Sequence, residues 1–343
     1  MSYICNPSNT KKILKKYNIK LNKNLGQNFL IDSNILHKIV KKAEVKQNDI
    51  ILEIGSGIGT LTEFLINVVK PSGKVVCIEI DKKLVNIFND NKASFSNFDN
   101  TSNVYLINAD AMKLNYSEIY NNFKINKAVS NLPYKTAAQL ILKILIEAPE
   151  IKNLYFTIQK DIADRILAEA VQSGKDLSLK DYGAYTVKIR FLADCKILFN
   201  IPRSCFLPEP FVDSVFISVK NKLLDYGKDG QNIFKQASFK QYYEKYSKIY
   251  CNFNEFIKDY FNFIDLCFSQ KRKKLINSLF GSQIRNEIGV RNIIAKLKNN
   301  LNVDKVELIT KILLSLGKNS NVRAEQLKPE EFLILFLEII KNI

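Results

Sequence analysis

Ile51-Leu52-Glu53-Ile54-Gly55-Ser56-Gly57-Ile58-Gly59-Thr60 reads as a buried strand that runs into glycines and then into a helix. Glycine lets the backbone turn sharply and come close to a ligand. The spacing is G-x-G-x-G, not the G-x-G-x-x-G of a dinucleotide phosphate loop. Outward from this stretch, strands are expected over 49–54, 74–80, 104–107, 127–130 and 153–158. Helical periodicity falls between most of them, over 34–43, 60–69, 82–88 and 136–147. This alternation predicts an α/β fold, a mostly parallel sheet with helices on both faces. A helix around 162–170 and two later strand-like runs, 195–201 and 213–219, add an antiparallel edge. The polar stretches 89–103 and 174–181 read as loops.

After residue 220 the alternation stops. Residues 221–265 are rich in Tyr, Phe and Lys, and 266–343 are helical with breaks near Gly281 and over 317–321. Three regions follow: a basic N-terminal segment, 1–24; a sheet domain, 25–220; and a smaller all-helical C-terminal domain, 221–343, with 221–263 as an insertion. Within the first, Lys11-Lys12-Ile13-Leu14-Lys15-Lys16-Tyr17 reads either as a short basic amphipathic turn or as a solvated tail.

A chain of 343 residues, 46% apolar and 25% charged, belongs to the soluble globular class with room for two domains. Its 51 Lys and Arg against 34 Asp and Glu leave a net charge of +17. That balance points to a polyanionic partner, most often nucleic acid, although lysine inflation in an AT-rich genome produces the same excess. Six cysteines include no C-x-x-C pair, so metal-site spacing is absent. With His37 as the one histidine, in a helical setting that reads as structural, neither a His-based triad nor a multi-histidine metal site is expected. No secretory h-region precedes Asn24, and no apolar run reaches the roughly 18 residues of a membrane span. The expectation is a cytoplasmic protein without membrane association.

Three further strand ends carry chemistry. Cys77-Ile78-Glu79-Ile80-Asp81 ends its strand with an acid, and a carboxylate there can accept both hydroxyls of a ribose. Nicotinamide cofactors use the same acid, so Glu79 alone does not discriminate. Asp110, in Ile107-Asn108-Ala109-Asp110-Ala111-Met112, is placed to accept an exocyclic N–H of adenine. Asn131-Leu132-Pro133-Tyr134 follows the apolar run that ends at Ser130. Its amide oxygen and a carbonyl beside the rigid proline can accept the two N–H bonds of a planar amino-heterocycle, while the phenol ring stacks on the flat face. In a parallel sheet these strand ends share one crevice. The ordered set resembles the S-adenosylmethionine methyltransferases that act on amino groups, a Rossmann-like fold.

The resemblance extends to the ribosomal RNA adenine N6,N6-dimethyltransferases of the small-subunit type. It is carried by Leu25-Gly26-Gln27-Asn28-Phe29-Leu30-Ile31-Asp32, the glycine loop and Ser130 to Tyr134. Gln159-Lys160-Asp161-Ile162-Ala163-Asp164-Arg165, Tyr182-Gly183 and the run from Pro202 to Ser214 agree. So do Gln270-Lys271-Arg272-Lys273-Lys274-Leu275 and Val322-Arg323-Ala324-Glu325-Gln326-Leu327. The resemblance implies that Asn28, Leu30, Gly55, Gly57, Glu79, Asp110 and Asn131 meet the methyl donor, S-adenosyl-L-methionine. Ser56 stands where the family often has proline. Tyr134 and Phe206 are the expected stacking rings on either face of a flipped adenine. Lys271, Arg272, Lys273 and Lys274, with Lys11, Lys12, Lys15 and Lys16, are the expected phosphate contacts. The implied substrate is a pair of adjacent adenosines in a hairpin loop near the 3′ end of small-subunit (16S) RNA in a pre-30S particle, dimethylated by a monomeric enzyme. Other readings stay open at this stage: a resistance-type methyltransferase of large-subunit RNA, a ribosome-assembly checkpoint factor, and a nicotinamide oxidoreductase.

Overall fold

The computed structural model describes residues 4–19, 28–92, 103–170, 182–222, 253–270, 273–280 and 305–341. The chain divides into two compact units: Met1–Asp164 with Ala193–Lys222, and Arg165–Leu192 with Leu223–Ile343.

The strands of the first unit are β1 (Phe29–Leu30), β2 (Ile50–Ile54), β3 (Lys74–Glu79), β4 (Val104–Asn108), β5 (Lys127–Asn131), β6 (Asn153–Gln159), β7 (Ala193–Ile201), β8 (Phe206–Leu207) and β9 (Ser214–Asn221). Seven of them form one sheet in the order β4-β3-β2-β5-β6-β9-β7. β2 to β6 run parallel, while β9 pairs antiparallel with both β6 and β7. Ile51, Leu52, Val75, Val76, Ala128 and Val129 are all 0% exposed. A parallel strand covered on both faces reads as a continuous apolar run, which is why these strands were legible. The strand order reverses at β2, whose neighbours are β3 and β5, and a crevice opens at the carboxyl end of such a reversal.

The helices of this part of the chain are α1 (Pro7–Lys16), α2 (Ser33–Lys42), α3 (Thr60–Val69), α4 (Lys82–Lys92), α5 (Tyr116–Phe123), α6 (Ala137–Glu147) and α7 (Lys160–Leu167). α1 is a complete helix rather than a turn. Asn6 caps it by accepting from Ser8 N, and Pro7 supplies a preset φ at the first helical position. Its Ile13 and Leu14 join the core cluster that holds Leu36, Phe64 and Phe88, while Lys11, Lys12, Lys15 and Lys16 stay exposed. At the amino end of the sheet, buried Lys127 donates to Asp49 Oδ2 at 2.9 Å and to Glu44 O at 2.6 Å. Burial by itself raises the Asp49 pKa. The hydrogen bonds from Lys46 N, Lys127 and Asn126 outweigh it, and the carboxyl lies below its ordinary range.

The second unit contains α8 (Ala184–Leu192), α9 (Phe253–Cys267), α10 (Leu275–Phe280), α11 (Lys305–Ser315) and α12 (Pro329–Lys341). Its core is aromatic. Tyr260 is 0% exposed, and the rings of Phe191 and Phe336 lie 5.0 and 5.3 Å from it. Tyr182 Oη donates to Leu327 O at 2.7 Å, and Lys188 pairs with Asp265 at 2.6 Å. α5 and α8 were not anticipated, and α4 runs to Lys92, into the stretch expected to be a loop. The polar segment 174–181 and residues 223–252 of the expected insertion lie outside the described residues, while Phe253 opens α9. Among the described residues, no helix is long and apolar enough to cross a membrane, and no His, Cys, Asp and Glu cluster forms a metal site.

Candidate active site

At the β2 reversal lies a cavity of about 340 Å³. The glycine loop forms its floor. Gly55 N and Ser56 N both donate to Ile78 O, which pins the loop to β3. Gly57 has φ +58°, and a Cβ there would sit 2.8 Å from Phe29 Cε1. Glycine is required at this position twice over, by the backbone and by the ring.

Glu79, the last residue of β3, turns back over the loop. Its Oε2 accepts from Gly57 N and its Oε1 from Asp81 N, each at 2.9 Å. A carboxylate has about four acceptor positions, so capacity remains for a further hydroxyl donor. Burial pushes the Glu79 carboxyl up, against the opposing effect of these N–H donors. Asp110 follows β4. Its Oδ1 accepts from Met112 N at 2.9 Å, and its Oδ2 takes no hydrogen bond among the described residues. Between these two acids the wall is apolar: Ile80, Leu84, Ala111 and Met112.

Asn131 ends β5 on the other side of β2. Its Nδ2 donates to Asn28 O at 3.1 Å, which orients the amide. Its Oδ1 is buried and has no hydrogen-bond partner among the described residues. A buried acceptor left unpaired costs about 1–3 kcal/mol, so a ligand N–H is favoured at this atom. Leu132 N donates to Thr157 O, and Pro133 O accepts from Thr136 N in the turn. Leu132 O accepts nothing among the described residues. Of the two carbonyls in this segment, Leu132 O is therefore the one free to take a second N–H.

Asn28, Leu30, Gly55, Gly57, Glu79, Asp110, Asn131 and Pro133 all line this cavity. Leu132, Tyr134 and Phe206 do not. Tyr134 is 9% exposed, and its hydroxyl lies 3.2 Å from Ser214 Oγ. Phe206 is 2% exposed and belongs to the core cluster. It pairs with Leu30 in the β1–β8 ribbon, whose register also sets Phe29 opposite Leu207. This ribbon carries Asn28 and Leu30 to the cavity. Lys271 and Arg272 lie outside the described residues, whereas Lys273 and Lys274 are exposed in the second unit.

Two ionisable lining residues escaped the sequence reading. Glu53 is buried, and burial pushes its carboxyl up to about 8. Thr62 Oγ1 donates to it at 2.6 Å. An acid inside the apolar run Ile51-Leu52-Glu53-Ile54 was the signal available for it. Lys135, the residue after Tyr134, also borders the cavity.

Residues 2–238 match the family described as ribosomal RNA adenine dimethylase. A protein of Clostridium acetobutylicum called ribosomal RNA small subunit methyltransferase A is 40% identical over 209 residues, covering 61% of this chain and 70% of the relative. The protein of that name in Alkaliphilus oremlandii is 31% identical over 346 positions and covers both chains fully. Among solved structures, a dimethyladenosine transferase from Plasmodium falciparum superposes with a TM-score of 0.62 at 25% identity, over 91% of this chain and 97% of that one. The 23S rRNA methyltransferase ErmE shares the fold, with a TM-score of 0.52 at 18% identity over 91% and 99%.

Proposed function

The chain belongs to the ribosomal RNA adenine dimethylase family, and from that premise we propose that it methylates N6 of two adjacent adenosines in the hairpin loop near the 3′ end of small-subunit RNA, giving N6,N6-dimethyladenosine. The donor is S-adenosyl-L-methionine. The observation that carries the reading is the unpaired, buried Asn131 Oδ1 beside the free Leu132 O.

When bound, the donor supplies a methyl group on a sulfonium. The remaining capacity of Glu79 suits a ribose hydroxyl, and Asp110 Oδ2 suits the exocyclic N–H of the donor's adenine. Asn28, Leu30, Gly55 and Gly57 wall the donor, with the glycine backbone allowing close approach. At the acceptor end, the N6 lone pair of adenine is delocalised into its ring. Asn131 Oδ1 and Leu132 O accept the two N6–H bonds and favour the pyramidal nitrogen, whose lone pair is free. With the donor bound, that pair would take its methyl group, the C–S pair would stay on sulfur as a neutral thioether, and the surplus proton would leave N6 for water. Orientation supplies most of the rate, and no strong base is required. After the first transfer a single N–H remains, so one acceptor holds the base for the second.

Stacking of the flipped base on Tyr134 and Phe206 requires motion, because both rings are covered. The RNA partner fits the net charge of +17. Lys271 to Lys274 are proposed phosphate contacts, the pre-30S particle the form of RNA used, and a cytoplasmic monomer the acting species. The test is methyl transfer from tritiated donor to unmethylated 30S-type particles and to protein-free large-subunit RNA, with primer extension to map the product. Adjacent dimethyladenosines in the small-subunit RNA support the proposal. Product on the large-subunit RNA alone replaces it with the resistance-type reaction.

A further inference from the structure

We propose that Lys135 is a substrate-positioning residue that holds a phosphate of the target RNA strand at the mouth of the pocket. The inference rests on the reading that the acceptor is an adenine in RNA. Among the described residues that line the cavity, Lys135 is the only cation. It is exposed, and it makes no ion pair or hydrogen bond within the described residues. The lining carboxylates whose capacity suits the donor, Glu79 and Asp110, belong to the β3 and β4 ends.

Lys135 follows β5. In the order β4-β3-β2-β5, this strand lies two places from β3 and three from β4. At about 4.8 Å per strand, those offsets are roughly 10 and 14 Å. The ammonium therefore belongs to the acceptor end of the crevice, away from the acids. It directly follows the segment whose Asn131 Oδ1 and Leu132 O await the base. A nucleotide that turns its base into a pocket leaves its phosphates at the rim. An acid-lined cavity repels those phosphates, and a lone ammonium on its rim offsets the repulsion.

The test compares wild type with Lys135→Gln and Lys135→Arg on unmethylated 30S-type particles. One lost phosphate contact on single-stranded RNA makes the slope of log affinity against log salt shallower by about 0.7, so the affinity gap between wild type and Lys135→Gln shrinks about 2.6-fold from 50 to 200 mM salt. The effect falls on KM for the particle rather than on kcat. Lys135→Arg restores the slope, and calorimetric affinity for S-adenosylhomocysteine is the same in all three proteins. A parallel loss of S-adenosylhomocysteine affinity in Lys135→Gln overturns the proposal, because the lysine then serves the donor. An unchanged slope and KM also overturn it. Wild-type protein that transfers no methyl group overturns the functional reading, and this inference with it.

Discussion

Replacing Gly57 by alanine perturbs a position where the cofactor loop runs against Phe29 of the β1–β8 ribbon. The backbone there has φ +58°, and an L-residue in that region pays about 1–2 kcal/mol. The added Cβ would lie 2.8 Å from Phe29 Cε1 and 3.3 Å from Cδ1. Carbon atoms rest at about 3.5–4.0 Å, so the ring must recede by roughly 1 Å. Phe29 is 6% exposed and packed in the core, where such over-packing costs about 1–3 kcal/mol. The sum is about 2–5 kcal/mol. Because Phe29 follows Asn28, a receding ribbon stretches the 3.1 Å bond from Asn131 Nδ2 to Asn28 O. The assay is a double-mutant cycle in urea, read by circular dichroism, with Phe29→Leu as the partner because leucine lacks the ring carbon in the way. Gly57→Ala costs the full amount in the parent and only the backbone share, about 1–2 kcal/mol, in the Phe29→Leu background. Affinity for S-adenosylhomocysteine falls in Gly57→Ala and partly recovers in the double variant. Equal costs in both backgrounds refute the argument that the ring selects glycine.

Two charge predictions accompany it. Glu53 has a folded pKa of about 8 against an ordinary 4.5, so above pH 4.5 the unfolded chain releases a proton that the native state keeps. Stability therefore falls as pH rises from about 4.5 to about 8, and Glu53→Gln removes this slope; at pH 7 the gain is as much as about 3 kcal/mol, measured as the urea midpoint against pH. Lys127→Met leaves Asp49 buried without its partner and costs about 3–5 kcal/mol. The stability that Asp49 contributes is present above its unfolded pKa and is lost as pH falls through its lower folded pKa. In Lys127→Met that acid-side loss shrinks, and Asp49→Asn in the same chain recovers part of the stability; equal acid limbs in wild type and variant contradict this.

The parallel sheet was legible because its central strands β2, β3 and β5 are covered on both faces and read as apolar runs. Three strand ends were followed by chemistry: Glu79 ends β3, Asn131 ends β5 and Asp110 follows β4 by two residues. A parallel sheet turns such a series in sequence into a single crevice in space. The β1–β8 ribbon was not legible. Two-residue strands carry no period, and the pairing of Leu30 with Phe206 joins distant parts of the chain. The covered setting of Phe206 follows from that pairing, so its local motif does not reveal it. α8 escaped because it borders the polar stretch 174–181 and its burial comes from tertiary contacts with α9 and α12, not from a separate apolar stripe. The lone acid Glu53 was visible in its apolar strand. Its protonation was not, because that depends on enclosure by α3 and β3, through Thr62 and Cys77.

The most direct measurement is methyl transfer by Asn131→Ala to unmethylated 30S-type particles, with donor affinity measured on the same protein. Asn131 meets both donor and acceptor in this account, so the assay runs at donor concentrations that saturate the variant. The account predicts a folded protein, saturable with donor, whose dimethyladenosine yield falls by about two orders of magnitude or more, the scale on which loss of one oriented polar group acts. Near-wild-type turnover at saturation contradicts it, because the unpaired Oδ1 would then have no part in holding N6.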